Sequence, residues 1–183
     1  MKYLTETPSY YPLQTMGGME LGHLNPSKKT VIASQVVELL KPHVLVGHMV
    51  EQTIPGLIGY MDNGFAVVSV SPFFEVMGFA KLYPYLSDAS TLPQGYEFSS
   101  WVSKKKGVGL NVLKKILEVF HEYNNPDADF FAVCSTSNPK PQHILFKAGG
   151  ALIERPSYVP NMLEAQTGEP HQETIINLKT ISH

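Results

Sequence analysis

The chain changes period between residues 96 and 123. Tyr96 to Val102 is short and carries Tyr96, Phe98, Trp101 and Val102, and reads as a strand. Downstream, Leu110, Leu113, Ile116, Leu117, Phe120 and Tyr123 recur every three or four residues with Lys114, Lys115, Glu118 and Glu122 between them, the pattern of an amphipathic helix. Strand and helix are joined by Ser103-Lys104-Lys105-Lys106-Gly107-Val108-Gly109. A helix start presents N–H groups that lack partners and the positive end of the helix dipole, and two glycines let backbone approach an anion closely. Three lysines add positive charge there, so the junction reads as a phosphate cradle. The bland alternative is a solvated lysine turn in which the glycines only permit the bend. Two better-known glycine loops are excluded. A P-loop requires Gly-Lys-Ser/Thr, but Leu110-Asn111 follows Gly109, and the dinucleotide fingerprint requires a third glycine where Val112 stands.

The overall charge conceals this concentration. The 14 Lys+Arg and 16 Asp+Glu leave a formal net charge of -2, which gives no global attraction for nucleic acid or an anionic membrane, so neither is expected as a partner. With 183 residues and 43% hydrophobic content, one packed domain is expected. The single cysteine, Cys134, excludes an internal disulfide framework and fits a reducing cytoplasm. The histidines lack metal-ligand spacing, and no metal site is expected. No run approaches the roughly 18 apolar residues of a membrane span, and Met1 to Glu6 lead into no apolar signal-like stretch, so the expected location is cytoplasmic.

The first 24 residues read as an extended arm or first strand, with the domain proper over 25–183. Asn25-Pro26 caps a helix expected over about 26–41, stopped by Pro42. A short helix over 55–61 ends at Asp62-Asn63-Gly64. Strands are expected over 65–70, 76–83, 96–102, 129–135, 151–159 and 173–181, with Pro84 in a connecting loop. A further helix covers about 139–148, closed by Gly149-Gly150. This order argues for an α/β molecule of the α+β kind, a mixed sheet covered by helices.

The Lys104 to Gly109 segment resembles the Arg/Gln-x-x-Gly-x-Gly/Ala motif of the GCN5-related N-acetyltransferase (GNAT) superfamily, with Lys104 in place of Gln or Arg. Val76-Met77-Gly78-Phe79-Ala80 looks like that family's third-strand signature. Asn138 followed by Leu145-Phe146-Lys147-Ala148-Gly149-Gly150 is similar to its Asn-x-x-Ala and Tyr-x-x-x-Gly-Phe pattern. The likeness runs over roughly 26–181 in element order, and the first segment is its specific part. It implies a GNAT-like acyl-CoA N-acyltransferase fold, a mostly antiparallel twisted sheet flanked by helices, with acetyl-CoA as co-substrate and a small-molecule or peptide amine as acceptor. By the same resemblance, the loop N–H groups from Lys106 through Gly107, Val108 and Gly109 to Leu110 hold the pyrophosphate. Trp101, Val102 and Ser103 pair with pantetheine, and Asn138 and Phe146 lie against the cofactor. Val102 N–H, or its neighbour, polarises the thioester carbonyl. No side-chain nucleophile is required, because the amine attacks directly.

Such an amine must be neutral, which calls for a base. Glu97 is the one carboxylate on its strand. Strict alternation puts Glu97, Ser99 and Trp101 on one face and Phe98, Ser100 and Val102 on the other, and Glu97 reads equally well as a solvated surface charge. The family's leaving-group acid is a tyrosine where this chain has Phe146, which cannot donate a proton. Tyr158, Ser135 and Cys134 are the candidates to replace it. Cys134 fits a buried small hydrophobe better than a nucleophile. Trp101 covers pantetheine or simply caps the core. The aromatics Tyr10, Tyr11, Phe73, Phe74, Tyr83 and Tyr85 suit an acceptor pocket or a homodimer interface. A CoA-binding module without catalysis is the alternative function; a phosphoprotein or nucleic-acid binder rests on the lysine triplet alone.

Overall fold

A computed structural model of the chain describes residues 14–85, 95–123, 128–136, 138–153 and 173–181. Among the described residues seven strands form one sheet: β1 Gln14–Gly17, β2 Ala66–Val70, β3 Val76–Tyr85, β4 Gly95–Ser103, β5 Asp129–Ser135, β6 Ala151–Leu152 and β7 Glu173–Asn177. Their spatial order is β1-β2-β3-β4-β5-β7-β6. Every neighbouring pair is antiparallel except β4–β5, which is parallel. The helices are α1 Met19–Gly22, α2 Pro26–Leu45, α3 Ile54–Asp62, α4 Val108–Tyr123 and α5 Pro139–Lys147.

Alternation along the strands separates two cores. Val67, Ala80, Leu82, Phe98 and Phe130 meet the apolar stripe of α4, in which Val108, Val112, Leu113, Ile116, Leu117 and Phe120 are all buried. On the opposite face Val68, Phe79 and Val102 pack with Ile32, Val36 and Leu40 of α2 and Leu57 and Met61 of α3. No helix among the described residues is long and apolar enough to cross a membrane.

Several boundaries differ from expectation. Asn25 caps α2 as its sequence predicts, its Oδ1 accepting from Lys28 N–H at 2.9 Å. Pro42, however, lies inside α2 and does not stop it. Pro42 is exposed, so the Glu38 carbonyl that loses its intrahelical donor faces water. Pro84 belongs to β3, opposite Tyr96. The β2 pairing ends at Lys81, and the missing Pro84 N–H opposes no strand on that side. β7 ends at Asn177, whose Oδ1 accepts from Lys179 N–H at 2.9 Å and turns the chain before Ile181. In the expected 151–159 strand, only Ala151–Leu152 is strand among the described residues.

Candidate functional site

β4 and β5 pair over three rungs only: Gly95 with Asp129, Tyr96 with Phe130 and Glu97 with Phe131. Beyond Glu97 they diverge. β4 stays on β3 as far as Ser103 opposite Gly78, while β5 stays on β7 as far as Ser135 opposite Glu173. The strands thus form a fork with its base at Glu97 and Phe131 and limbs at 98–103 and 132–135. Among the described strands no ladder joins the facing edges of the limbs, the geometry into which an extended amide-bearing chain can add.

The start of α4 follows directly on the β4 limb, at the mouth of the fork. Gly107 has φ +88, a left-handed conformation suited to glycine, and a Cβ placed on it would meet nothing within 4 Å. Val108 N–H bonds to Lys105 O at 3.3 Å, and Asn111 N–H is the first to reach back four residues, to Gly107 O at 3.2 Å. By helix geometry the N–H groups of Gly107, Gly109 and Leu110 have no partner inside the helix. Gly109 is fixed by packing instead. A Cβ there would lie 3.1 Å from Ser103 Oγ and 3.3 Å from Trp101 Cζ2. Trp101 Nε1–H donates to Gly109 O at 3.0 Å, tying the strand end to the helix start. Gly78 seats the same turn: a Cβ on it would come within 2.8 Å of Val108 Cγ1. An open glycine-lined helix start at the mouth of a strand fork fits a pyrophosphate with an amide-bearing arm behind it.

No protein-family model and no curated protein sequence matches the chain. Solved structures do match. Phosphinothricin acetyltransferase of the GNAT superfamily from Sinorhizobium meliloti aligns with a TM-score of 0.60 at 15% identity, over 90% of this chain and 86% of that one. Diaminobutyrate acetyltransferase from Paenibacillus lautus gives 0.58 at 9% identity, over 94% and 98%. N-acetylglutamate synthase from Neisseria gonorrhoeae gives 0.60 at 10% identity over 91% of this chain, which spans 35% of that longer protein. The chain has the GNAT fold.

Within this GNAT fold the lysine triplet divides its work. Lys104 Nζ bonds to Glu75 Oε1 at 2.8 Å and its N–H to Met77 O at 2.8 Å, which anchors the junction to β3. The Lys104 ammonium, with Lys105 adding to it, holds the exposed Glu75 carboxyl below its ordinary range. Lys105 and Lys106 are exposed.

The faces of β4 do not alternate strictly. Ser100 has φ +55, and Ser100 and Trp101 together oppose Ala80, a bulge marked by the register shift between Phe79 and Lys81. Trp101 therefore joins Phe98 on the α4 side, their rings 5.2 Å apart. Val102 turns to the α2–α3 side. Glu97 and Ser99 keep the face opposite Phe98, so Glu97 and Trp101 lie on different faces, contrary to the alternation reading.

On the Glu97 face stands a cluster that sequence reasoning missed. Lys81, opposite Ser99 and only 5% exposed, donates from Nζ to Gln52 Oε1 at 2.8 Å. The same ammonium lies 4.3 Å from the Tyr60 ring centroid and 5.6 Å from that of Tyr83. Burial lowers the Lys81 pKa to about 8, against an upward pull from Glu97. Tyr60 is raised by burial and by the neighbouring Tyr83 and Glu97. Glu97 itself lies opposite Tyr83 at the base of the fork. The available signal was one lysine inside the otherwise apolar run Val76 to Leu82.

The other limb holds the remaining residues. Cys134 is 8% exposed and packs in the α4 core. Ser135 O accepts from Asn138 N–H at 3.0 Å and from Gln142 Nε2–H at 3.0 Å, which fixes α5 to the end of β5. Asn138 makes no side-chain cap to α5. Phe146, on α5, is 40% exposed. Phe73 is exposed and Phe74 half-buried beside the β2–β3 turn, the latter with Lys28 Nζ 5.5 Å from its ring centroid. Tyr10, Tyr11 and Tyr158 lie outside the described residues.

Proposed function

We propose that the chain is a CoA-dependent N-acyltransferase that moves an acetyl group from acetyl-CoA to a primary amine. The observation that carries the reading is the β4–β5 fork with an open, glycine-lined helix start at its mouth. Backbone N–H groups from Lys106 to Leu110 bind the pyrophosphate, with Lys105 and Lys106 supplying charge. The free edge at Trp101, Val102 and Ser103 pairs with the pantetheine amides, and an N–H at the bulge, from Val102 or Trp101, points a donor at the thioester carbonyl. When bound, the cofactor supplies an activated acyl group and a thiolate leaving group. In net terms a C–N bond forms, the C–S bond breaks, and the proton lost by the amine ends on the thiol. Glu97, at the base of the fork, takes that proton first in this reading. Two of the solved relatives support an amine acceptor: diaminobutyric acid is the substrate bound in one, and N-acetylglutamate accompanies CoA in another.

The test is release of CoA thiol from acetyl-CoA in the presence of a panel of primary amines. At least one amine is expected to accelerate release severalfold, and Gly107→Trp to abolish the response. Saturable CoA binding with no acceleration by any amine would leave a binding module and remove the enzyme.

A further inference from the structure

Lys81 is a cation taken out of water, and among the described residues no carboxylate is bonded to it. Its hydrogen-bond acceptor is the neutral Gln52 amide, and Tyr60 and Tyr83 offer ring faces. A buried ammonium in such surroundings is under-compensated, which agrees with its lowered pKa. Glu97 acts on it from the next strand. The register places Lys81 opposite Ser99 and Glu97 opposite Tyr83, so the two charges are diagonal neighbours on one sheet face, with Cβ atoms roughly 7 Å apart by strand geometry. Glu97 is also the last rung before the fork opens. A positive and a negative group thus share one sheet face at the base of the fork, flanked by the half-buried Tyr60 and by Tyr83, which is 38% exposed.

We propose that Lys81 and Glu97 form the acceptor subsite and that it takes an α-amino acid, with Lys81 Nζ binding the carboxylate and Glu97 receiving the ammonium at the base of the fork. The proposal rests on the acyltransferase reading and names its acceptor class. A carboxylate completes the compensation that the Gln52 oxygen and the tyrosine rings leave partial, and the ammonium finds its counter-charge at Glu97. A simple alkylamine satisfies Glu97 alone and leaves Lys81 as it was. An acceptor with a second cation in place of the carboxylate is repelled by Lys81.

The test uses the full chain and the common primary α-amino acids, each beside the amine left when its α-carboxylate is removed. The Lys81 ammonium is followed by NMR of the 15N-labelled side chain, assigned by its absence in Lys81→Arg. At least one amino acid is expected to raise the Lys81 pKa by about 1, as an ion pair does, while its decarboxylated partner leaves it in place. In steady-state acetylation, wild type is expected to prefer that amino acid over the amine by about 30-fold in kcat/KM. Lys81→Met should collapse this preference through KM. An upward shift without acetyl transfer would support the subsite and remove the enzyme reading. Acetylation of decarboxylated amines as well as of amino acids would keep the enzyme and overturn the subsite, as would an unmoved Lys81 pKa across the whole panel. If Lys81→Met does not fold, the titration of wild type decides.

Discussion

At 5% exposure the Lys81 ammonium has exchanged water for one amide oxygen and the tyrosine faces, and its pKa falls from the ordinary 10.5 to about 8. Between those two values the unfolded chain holds a proton that the folded chain has lost. Stability therefore rises with pH across this window, by up to about 3 kcal/mol, and the gain is absent at pH 7, where both states are protonated. Lys81→Met is expected to raise stability at pH 7 by about 1–3 kcal/mol, since a methionine of similar length carries no buried charge. The difference between variant and wild type should shrink as pH rises from 8 to 10.5. Urea unfolding at several pH values measures it, and a difference that stays constant with pH would refute the burial argument. A residue that weakens the fold at neutral pH and still stands beneath the fork is what a binding role predicts.

Gly78 leaves room for the first turn of α4 on β3, because a Cβ there would press on Val108 Cγ1 at 2.8 Å and Val112 Cγ2 at 3.1 Å. Gly78→Val should lower stability by about 1–3 kcal/mol and tilt the helix start away from the fork. Acetyl-CoA affinity then falls more than stability alone predicts, as a titration of the folded variant would show. Within α2, Pro42→Ala restores a donor for the Glu38 carbonyl and should raise stability by about 1–3 kcal/mol, readable in thermal unfolding. The junction is legible in the sequence as a glycine pair after a strand pattern, a local signal, whereas Gly78 enters the sequence only as part of a third-strand resemblance and its contact with α4 is a tertiary fact. The end of α2 is not legible there. Proline is a reliable stop only where the freed carbonyl would be buried, and exposure is a tertiary property. The faces of β4 were misread because Ser100 adopts φ +55, which no period detects. The Lys81 cluster draws Gln52, Tyr60, Lys81 and Glu97 from the α2–α3 connection, α3, β3 and β4, and only the sheet register brings them together.

Over the molecule as a whole, a net charge of -2 opposes a polyanionic ligand weakly, so the proposed cofactor binding has to draw on the local excess at the exposed Lys105 and Lys106. Acetyl-CoA affinity should fall severalfold as salt rises from low to physiological strength, and replacing both lysines by glutamine should flatten that dependence. Bound cofactor should also raise the unfolding temperature in proportion to the logarithm of its concentration. These effects all require that the fork and the helix start form one cofactor site. The direct measurement is a calorimetric titration of wild type and Gly107→Trp with acetyl-CoA. Saturable binding of one acetyl-CoA per chain is expected in wild type and is expected to be lost in the variant while its circular dichroism is unchanged. No saturable binding to wild type, or equal affinity in a folded Gly107→Trp, would contradict it.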